Sequence, residues 1–447
     1  MKIVYFIIAY GPEFISNEVH EELGLRMRER GHEFVALTLT GAAPSPKGGG
    51  WVGDSATAAG VKAGGLQRSE SQNGIPIYKI RVGGHQQRLA QMVLHYNNFF
   101  AVLVGYKRFL REYPGADIIH AEAAYPLGAI AALGTPRGGP RIVPNLQGAD
   151  VLNYPDVDYG YGRYRAARYL LRRTFAAAAA VRCNSAMMRD FIIRTYGCAP
   201  SKAKVILRNI GSWSFLPPGA DLPAYRADRR AALEQEYPQL KGRPFILSIS
   251  RLHPFKGIEY LLEALALAGK GASQSTIYNL QSATLMVAGP GRSTAHFGDY
   301  AAFLNRKAAE LGIADRVIFT GEIPYTQSRD YLAAADVVGI SSVVDALNKV
   351  ALEAAAVGTP TLLTTSTGAA PYVEQEGIGI VVPPRDAAAL ATGLDQALSS
   401  DISLRAMQHG PTWAEQFRSV TIADQLLELY EYALGRPVNR LFNGQTE

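Results

Sequence analysis

SSVVDALNKVALEAAAVGTP, Ser341 to Pro360, is the stretch whose reading decides the fold. It places two carboxylates, Asp345 and Glu353, around the start of a helix. Upstream, YLAAADVVGISS (Tyr331–Ser342) reads as a short helix followed by a buried strand, so Asp345 falls in the loop at the carboxyl end of that strand. Asn348 reads as an N-cap, the Ala- and Leu-containing run Lys349–Val357 as a helix, and Gly358 with Pro360 as its stop. A ligand in that loop meets a loop carboxylate, free backbone N–H groups and a second carboxylate one turn further in. This suits a molecule with sugar hydroxyls at one end and a phosphate in the middle. The same residues also read as an ordinary acidic first turn that complements the helix dipole.

Working outward, strand-like and helix-like patches alternate along almost the whole chain, which predicts α/β architecture with parallel sheets. IVYFIIAY, HEFVALTLT, IPIYKIRV, ADIIHAEAAY, RIVPNLQGADV, AAAAAVRCNS and KVILRNIGSW supply the strands of a first series. PFILSISRL, TLMVAGPG, RVIFTGEI, ADVVGISS, TPTLLTT and GIVVPP supply a second. With 447 residues the chain exceeds one ordinary core, so two domains are expected. The boundaries read as a first domain over 1–216, a linker over 217–242 opened by Pro217-Pro218-Gly219, a second domain over 243–410, and a helical tail over 411–447. Within the first domain, helices are expected over Ser16–Arg30 with Ser16 as N-cap, over Arg88–Tyr113 and over Leu127–Leu133. Residues 41–74, rich in Gly, Ala and Ser, read as a flexible surface insertion, and a last helix is expected over Val420–Leu434.

Composition excludes several classes. Cys183 and Cys198 are the only cysteines, too few for a disulfide framework, and they fit a reducing compartment. The apolar run near the N-terminus reads as a first buried strand, and no run reaches the roughly 18 to 20 apolar residues of a membrane helix. The expectation is a cytoplasmic protein. His and Cys are scattered without ligand spacing, and Asp156 with Asp158 lies in a Tyr- and Gly-rich loop, so no metal or other cofactor is expected. YGRYRAARYLLRRTF, Tyr161 to Phe175, carries Arg163, Arg165, Arg168, Arg172 and Arg173, a pattern suited to peripheral contact with an anionic membrane or to a polyanionic acceptor. It also reads as a solvated basic helix. No recognition module accompanies it, so nucleic acid is not an expected partner.

SISRLHPFKGIEYLLEAL, Ser248 to Leu265, sets Arg251 and Lys256 in the loop entering a helix, where two cations can neutralise a diphosphate leaving group. AGPGRS offers Gly289 and Gly291, which permit a tight turn or the close approach of a ligand. FTGEIP contains Glu322 and Ile323. IIHAEAAYPLGA contains His120 and Glu122, and NLQGADV contains Gln147 and Asp150. Gln147 can donate a hydrogen bond to a sugar hydroxyl but cannot serve as a base. GPEFISNE, Gly11 to Glu18, brings Ser16 and Asn17 to a helix start where N–H groups can meet phosphate.

Together these segments resemble the retaining glycosyltransferases of family-4 type, which have the GT-B fold. The resemblance implies two Rossmann-like parallel-sheet domains facing a cleft, with a C-terminal helix crossing back to the first. Asp345 and Glu353 match the Glu-x7-Glu element, whose first carboxylate contacts the transferred sugar and whose second contacts the nucleotide ribose diol. Asn348 stands where the family usually has Gly. Arg251 and Lys256 match the cations of G-R-L…K-G, with Ser250 in place of the leading Gly. Glu322 and Ile323 match the segment lying against the nucleotide base. His120 matches the first His of H-A-H and Glu122 replaces the second, while Gln147 replaces His in H-G-x-D and Asp150 is retained. Asn209 and Gly211 partly match an N-G turn closing the first domain.

The activity so implied is transfer from a nucleotide-diphosphate sugar to a glycan, lipid-linked or small-molecule acceptor. Asp345, Arg251, Lys256 and Glu122 would be catalytic. Glu353, Asn348, Lys349, Gly289, Gly291, Glu322, Ile323 and Ser16 would hold the donor, and His120, Gln147 and Asp150 would face the acceptor. A sugar-nucleotide epimerase of the same fold, which needs acid and base carboxylates around the sugar ring, and a catalytically silent nucleotide-sugar-binding protein are the alternatives.

Overall fold

The computed structural model describes residues 1–10, 18–40, 43–44, 51–52, 63–82, 92–269 and 278–438. It divides into two compact units. The first holds Met1–Pro46, Gly50–Asn209 and Ser419–Glu447, and the second holds Ile210–Arg418.

The first unit is built on β1 (Lys2–Phe6), β2 (Glu33–Thr40), β3 (Leu66–Glu70), β4 (Pro76–Arg81), β5 (Ile118–Ala121) and β6 (Arg141–Pro144). They form one sheet in the order β3-β4-β2-β1-β5-β6, parallel except for the edge strand β3. Ile3 to Phe6 are fully buried, the continuous apolar run expected of a central parallel strand covered on both faces. A parallel bridge from Asn145 to Arg182 continues the sheet towards β7 (Val181–Cys183), which pairs with β8 (Ala203–Val205). From β1 the chain proceeds outward to β2 and β4, then returns to the other side of β1 as β5 and β6. The carboxyl ends of β1 and β5 therefore flank the point where the strand order reverses. The Glu122 N–H bonds the Phe6 carbonyl there at 2.8 Å.

The helix Ser419–Ala433 completes this unit's core. Ile422, Ala423, Leu426, Leu429 and Tyr430 are buried, in one cluster with Tyr5, Leu23, Met27 and Phe34. Asn209, at the edge of the unit, ties the two stretches together: its side-chain amide donates to the Val19 carbonyl at 2.9 Å and the Ser419 hydroxyl at 3.0 Å.

The second unit contains β9 (Phe245–Ile249), β10 (Thr284–Ala288), β11 (Val317–Gly321), β12 (Val337–Ile340), β13 (Thr361–Thr364) and β14 (Gly379–Val382). All pair in parallel, in the order β11-β10-β9-β12-β13-β14. This is the doubly wound order third-second-first-fourth-fifth-sixth, and its reversal lies between β9 and β12.

Several local expectations change. Residues 217–242, read as a linker, contain the helix Leu222–Glu236, which packs on the helix Ser328–Ala334 within the second unit. Its composition is polar because Leu233 is the only residue it buries, so hydrophobicity hides it. Of the expected insertion over 41–74, Leu66–Glu70 is an edge strand whose LQRSE sequence is polar because it is largely exposed. The helix expected over Arg88–Tyr113 runs over Phe99–Glu112, after a break at His95, where φ is 54°. Trp413 belongs to the helix Ser400–Ala414 in the second unit, so the tail that joins the first unit starts at Ser419 and not at residue 411. Ser16 and the loop Gly11–Asn17 lie outside the described residues.

Candidate functional site

At the reversal in the second sheet, two loops leave the carboxyl ends of β9 and β12 and are stitched together through their backbones. The Val343 N–H donates to the Phe255 carbonyl at 2.8 Å, and the Ser341 hydroxyl donates to the Lys256 carbonyl at 3.1 Å. Gly257 makes the approach possible. Its φ is 61°, and a Cβ there would sit 2.4 Å from the Ser341 carbonyl oxygen. Lys256 is thereby aimed at Asp345, with its ammonium 2.5 Å from Oδ2 and both side chains 14% exposed.

Asp345 is held by more than that ion pair. Its Oδ1 accepts from the backbone N–H groups of Asn348 at 3.0 Å and Leu347 at 3.3 Å, and Oδ2 accepts from the Asn348 side-chain amide at 3.0 Å. Asn348 is therefore not the side-chain N-cap its position suggests. It precedes the helix Lys349–Ala356 with φ 68° and makes no capping bond. Its Oδ1 is buried without a partner among the described residues. Arg251 follows β9, exposed, with its guanidinium 5.7 Å from the centre of the Phe255 ring.

Glu353 is 2% exposed on the inner face of the helix Lys349–Ala356. The Tyr325 hydroxyl donates to its Oε1 at 2.6 Å, and the Lys349 ammonium lies 3.3 Å from the same oxygen. Burial pushes this carboxyl above its ordinary value, and Lys349 opposes the rise.

The glycines of AGPGRS act on the chain itself. At Gly289 φ is 139°, and a Cβ would overlap the Ser250 carbonyl at 1.8 Å, so what approaches closely is the loop that carries Arg251. Gly291 bridges Leu252 and stays exposed. Glu322 is exposed and Ile323 half-buried at the end of β11, on the same edge of the sheet. Arg251, Lys256, Asp345, Asn348, Lys349 and Glu353 are thus placed on two adjoining loop–helix connections. Tyr325, 28 residues from Glu353 in sequence, is missed by sequence reasoning because nothing near it signals the contact.

The first unit gathers a different cluster at its own reversal point. Glu122, 5% exposed, has both oxygens engaged. Oε2 accepts from the Tyr5 hydroxyl at 2.7 Å and lies 3.1 Å from His120 Nε2. Oε1 accepts from Gln147 Nε2 at 2.6 Å and from Arg208 Nη2 at 3.4 Å. Burial by itself raises the Glu122 pKa, but the charges and donors around it outweigh that and hold the carboxyl well below its usual range. Burial keeps His20 and His120 neutral, lowering His20 to about 4.

These geometries correct four expectations. Glu122, expected as catalytic, is an internal anion whose lone pairs are spent. His120 is fully buried between Glu122 and the Tyr430 hydroxyl, 2.9 Å from its Nδ1. Gln147 donates to Glu122 and accepts from Arg208 rather than presenting its amide to a ligand. Asp150, 3% exposed, accepts from the Ala124 and Gln147 N–H groups at 2.7 and 3.0 Å and pins two loops, with burial raising its pKa to about 6. Arg208 in this cluster is 22% exposed. Its only sequence signal is a cation directly before Asn209.

Comparison with known proteins agrees with this layout. The family model described as "Glycosyl transferases group 1" matches residues 230–410, and "Glycosyl transferase 4-like domain" matches residues 17–208. The GDP-mannose-dependent alpha-(1-6)-phosphatidylinositol monomannoside mannosyltransferase of Mycolicibacterium smegmatis is 30% identical over 318 residues, 69% of this chain and 74% of that one. The D-inositol 3-phosphate glycosyltransferase of Nocardia farcinica is 30% identical over 271 residues, 59% of this chain and 54% of its own. Among solved structures, an Anabaena HepE protein in complex with UDP covers 96% of this chain and 99% of its own at 20% identity, with a TM-score of 0.66. Sucrose-phosphate synthase of Thermosynechococcus elongatus covers 97% of this chain and 100% of its own at 19% identity, with a TM-score of 0.69. The two family matches fall one on each sheet, and the Mycolicibacterium smegmatis relative is 30% identical over 69% of the chain, so the chain belongs to the glycosyltransferases of group 1, family-4 type and GT-B fold, and is an enzyme of the hexosyltransferase class.

Proposed function

We propose that this enzyme transfers a sugar with retention from a nucleotide-diphosphate sugar bound at the reversal point of the second sheet. The observation that carries the reading is the Lys256–Asp345 pair. Asp345 has three N–H donors of its own, so a diphosphate can draw Lys256 away without leaving the carboxylate unsupported. Freed from Lys256, Oδ2 accepts a hydroxyl of the transferred sugar. Lys256 and Arg251 then face the charge that builds on the departing diphosphate, together with the N-terminus of the helix Lys349–Ala356. Glu353 accepts the ribose diol, and the exposed backbone around Glu322 and Ile323 lies against the base. With no carboxylate assigned as nucleophile, retention follows a front-face route. The acceptor oxygen bonds to the anomeric carbon as the sugar–phosphate bond breaks, and the acceptor proton passes to the leaving phosphate oxygen. The cations come from the protein, so the reaction proceeds without a bound metal.

The names of the relatives, which specify phosphatidylinositol monomannoside and D-inositol 3-phosphate, support a hydroxyl-rich acceptor that bears phosphate or a lipid. Peripheral contact with an anionic membrane belongs to the same reading. Arg165, Arg172 and Arg173 are exposed on the helix Arg165–Ala177, whereas Arg168 is bonded to the Gly162 carbonyl at 2.9 Å and Arg163 to Asp158 at 3.4 Å.

A thermal-shift panel of GDP, UDP and ADP with EDTA present tests the donor site. One nucleotide is expected to stabilise the protein by about 4 kcal/mol at a thousand times its Kd. The shift is expected to vanish in Glu353→Ala, and turnover in Lys256→Ala. No shift with any nucleotide would remove the proposed site, and full turnover in Lys256→Ala would remove the diphosphate clamp.

A further inference from the structure

We propose that Tyr325 and Lys349 are positioning residues for the ribose-reading carboxylate: together they hold one oxygen of Glu353 so that the other faces the diol. The inference rests on the reading of Glu353 given above and adds to it two side chains, a division of labour between the carboxylate oxygens, and an aromatic support.

Both donors converge on Oε1. The Tyr325 hydroxyl reaches it at 2.6 Å and the Lys349 ammonium at 3.3 Å, while Oε2 has no partner among the described residues. The two donors also brace each other, with the Lys349 ammonium 4.4 Å from the centre of the Tyr325 ring. Trp213 packs edge-on to Tyr325, with ring centres 5.4 Å apart, and helps to fix the ring. They come from separate elements. Lys349 opens the helix that carries Glu353, four residues earlier, and Tyr325 opens the short turn Tyr325–Gln327 after β11. The carboxylate is therefore anchored to two strand connections at once.

The need for such an anchor is physical. A carboxylate buried this deeply loses its hydration, and its ionised form persists only where donors replace the water. A single neutral donor would leave the group free to protonate or to rotate about its last torsion. A hydroxyl and an ammonium on one oxygen hold the charge and set the plane, so the lone pairs of Oε2 have a defined direction. Two adjacent hydroxyls, the ribose 2′ and 3′ groups, are the ligand chemistry that such an oriented acceptor recognises.

The test measures Kd by calorimetry on the full chain for GDP and 2′,3′-dideoxy-GDP, and for the matching UDP pair. The wild-type protein is expected to prefer the diol-bearing form of the nucleotide it binds by about 10- to 100-fold, the range of one or two charge-assisted hydrogen bonds. Glu353→Gln is expected to abolish most of that preference. Tyr325→Phe and Lys349→Met are each expected to cut this preference at least about threefold, and Lys349→Arg to restore it. If Glu353→Gln removes the preference but Tyr325→Phe and Lys349→Met keep it, the positioning proposal falls and the ribose reading stands. If the two variants weaken both nucleotides equally, their role is general support of the fold and the proposal also falls. If Glu353→Gln keeps the preference, or no nucleotide binds, the ribose reading fails and takes the proposal with it.

Discussion

Asn348 shows how much one backbone torsion explains. With φ 68° the residue lies where a Cβ is usually penalised, and Asn is among the few side chains that tolerate it through local hydrogen bonds. Here the amide bonds Asp345, so the departure from the usual Gly is accommodated by the carboxylate beside it. Glu122 is the counterpart in the first unit. Its exchange for a second His is matched by the exchange at Gln147 and by Arg208, and these three residues, separated by up to 86 positions, form one hydrogen-bonded group. The neutral His20 beside Glu122 predicts a pH dependence. Its pKa is lowered from 6.5 to about 4 by burial, so the unfolded chain takes up a proton that the folded chain refuses. The stability His20 contributes is present above pH 6.5 and is lost as pH falls towards 4, by about 3 kcal/mol at roughly 1.4 kcal/mol per unit. Asp150 has the opposite sign. Raised to about 6, it favours the folded state at low pH and loses that contribution as pH rises from its ordinary value to 6. Urea unfolding of wild type and His20→Gln at pH 7 and pH 5 isolates the first effect: the wild type should lose more stability on acidification than the variant. Equal losses would show that His20 is protonated in the folded state.

The elements that carry the donor site depend on close backbone passages. Helix, loop and strand around Asp345 were legible because their apolar runs and Gly358 stop mark them locally; the passage between Gly257 and Ser341 was not, since it joins residues 84 positions apart. Gly257→Ala places a Cβ 2.4 Å from a carbonyl oxygen at a φ of 61°. Strain and overpacking together are expected to cost about 2 to 5 kcal/mol. Because Lys256 precedes this residue, the same substitution should lower kcat beyond what the lost stability explains. Differential scanning calorimetry with kinetics at 15 °C checks both, and a variant with wild-type Tm would show that the loops can part without cost. The helix Leu222–Glu236 and the edge strand Leu66–Glu70 were unreadable for a common reason: each is mostly exposed, so neither shows the apolar periodicity by which elements are recognised.

For the whole molecule, the proposed membrane contact is tested on the surface of the first unit. Tyr169 is 59% exposed between the outward arginines of the helix Arg165–Ala177. The helix Ala129–Gly134 packs against both that helix and Phe99–Glu112, where Phe100 and Val104 are 49% and 59% exposed. Among the described residues no helix is long and apolar enough to cross a membrane. In vesicle flotation the protein should rise with anionic but not zwitterionic vesicles, and Arg172→Glu with Arg173→Glu should weaken binding roughly tenfold or more, at about 1 kcal/mol per charge. Equal flotation of the double variant would reject this surface as the contact. By itself the sequence determined the α/β class, the two strand series, and the loops that bear Arg251, Lys256, Asp345 and Glu353, because hydrophobic runs, glycines and charged loop residues are local signals. Only the tertiary structure decided which of them meet. Strand order brings β9 beside β12, and so Lys256 to Asp345, while Tyr325 reaches Glu353 from the connection after β11; buried parallel strands are nearly interchangeable in sequence, so nothing local encodes their neighbours. The last helix joins the first unit for the same reason: its apolar stripe announces burial, but the surface that receives it, around Tyr5, Leu23 and Phe34, exists only once the chain has folded.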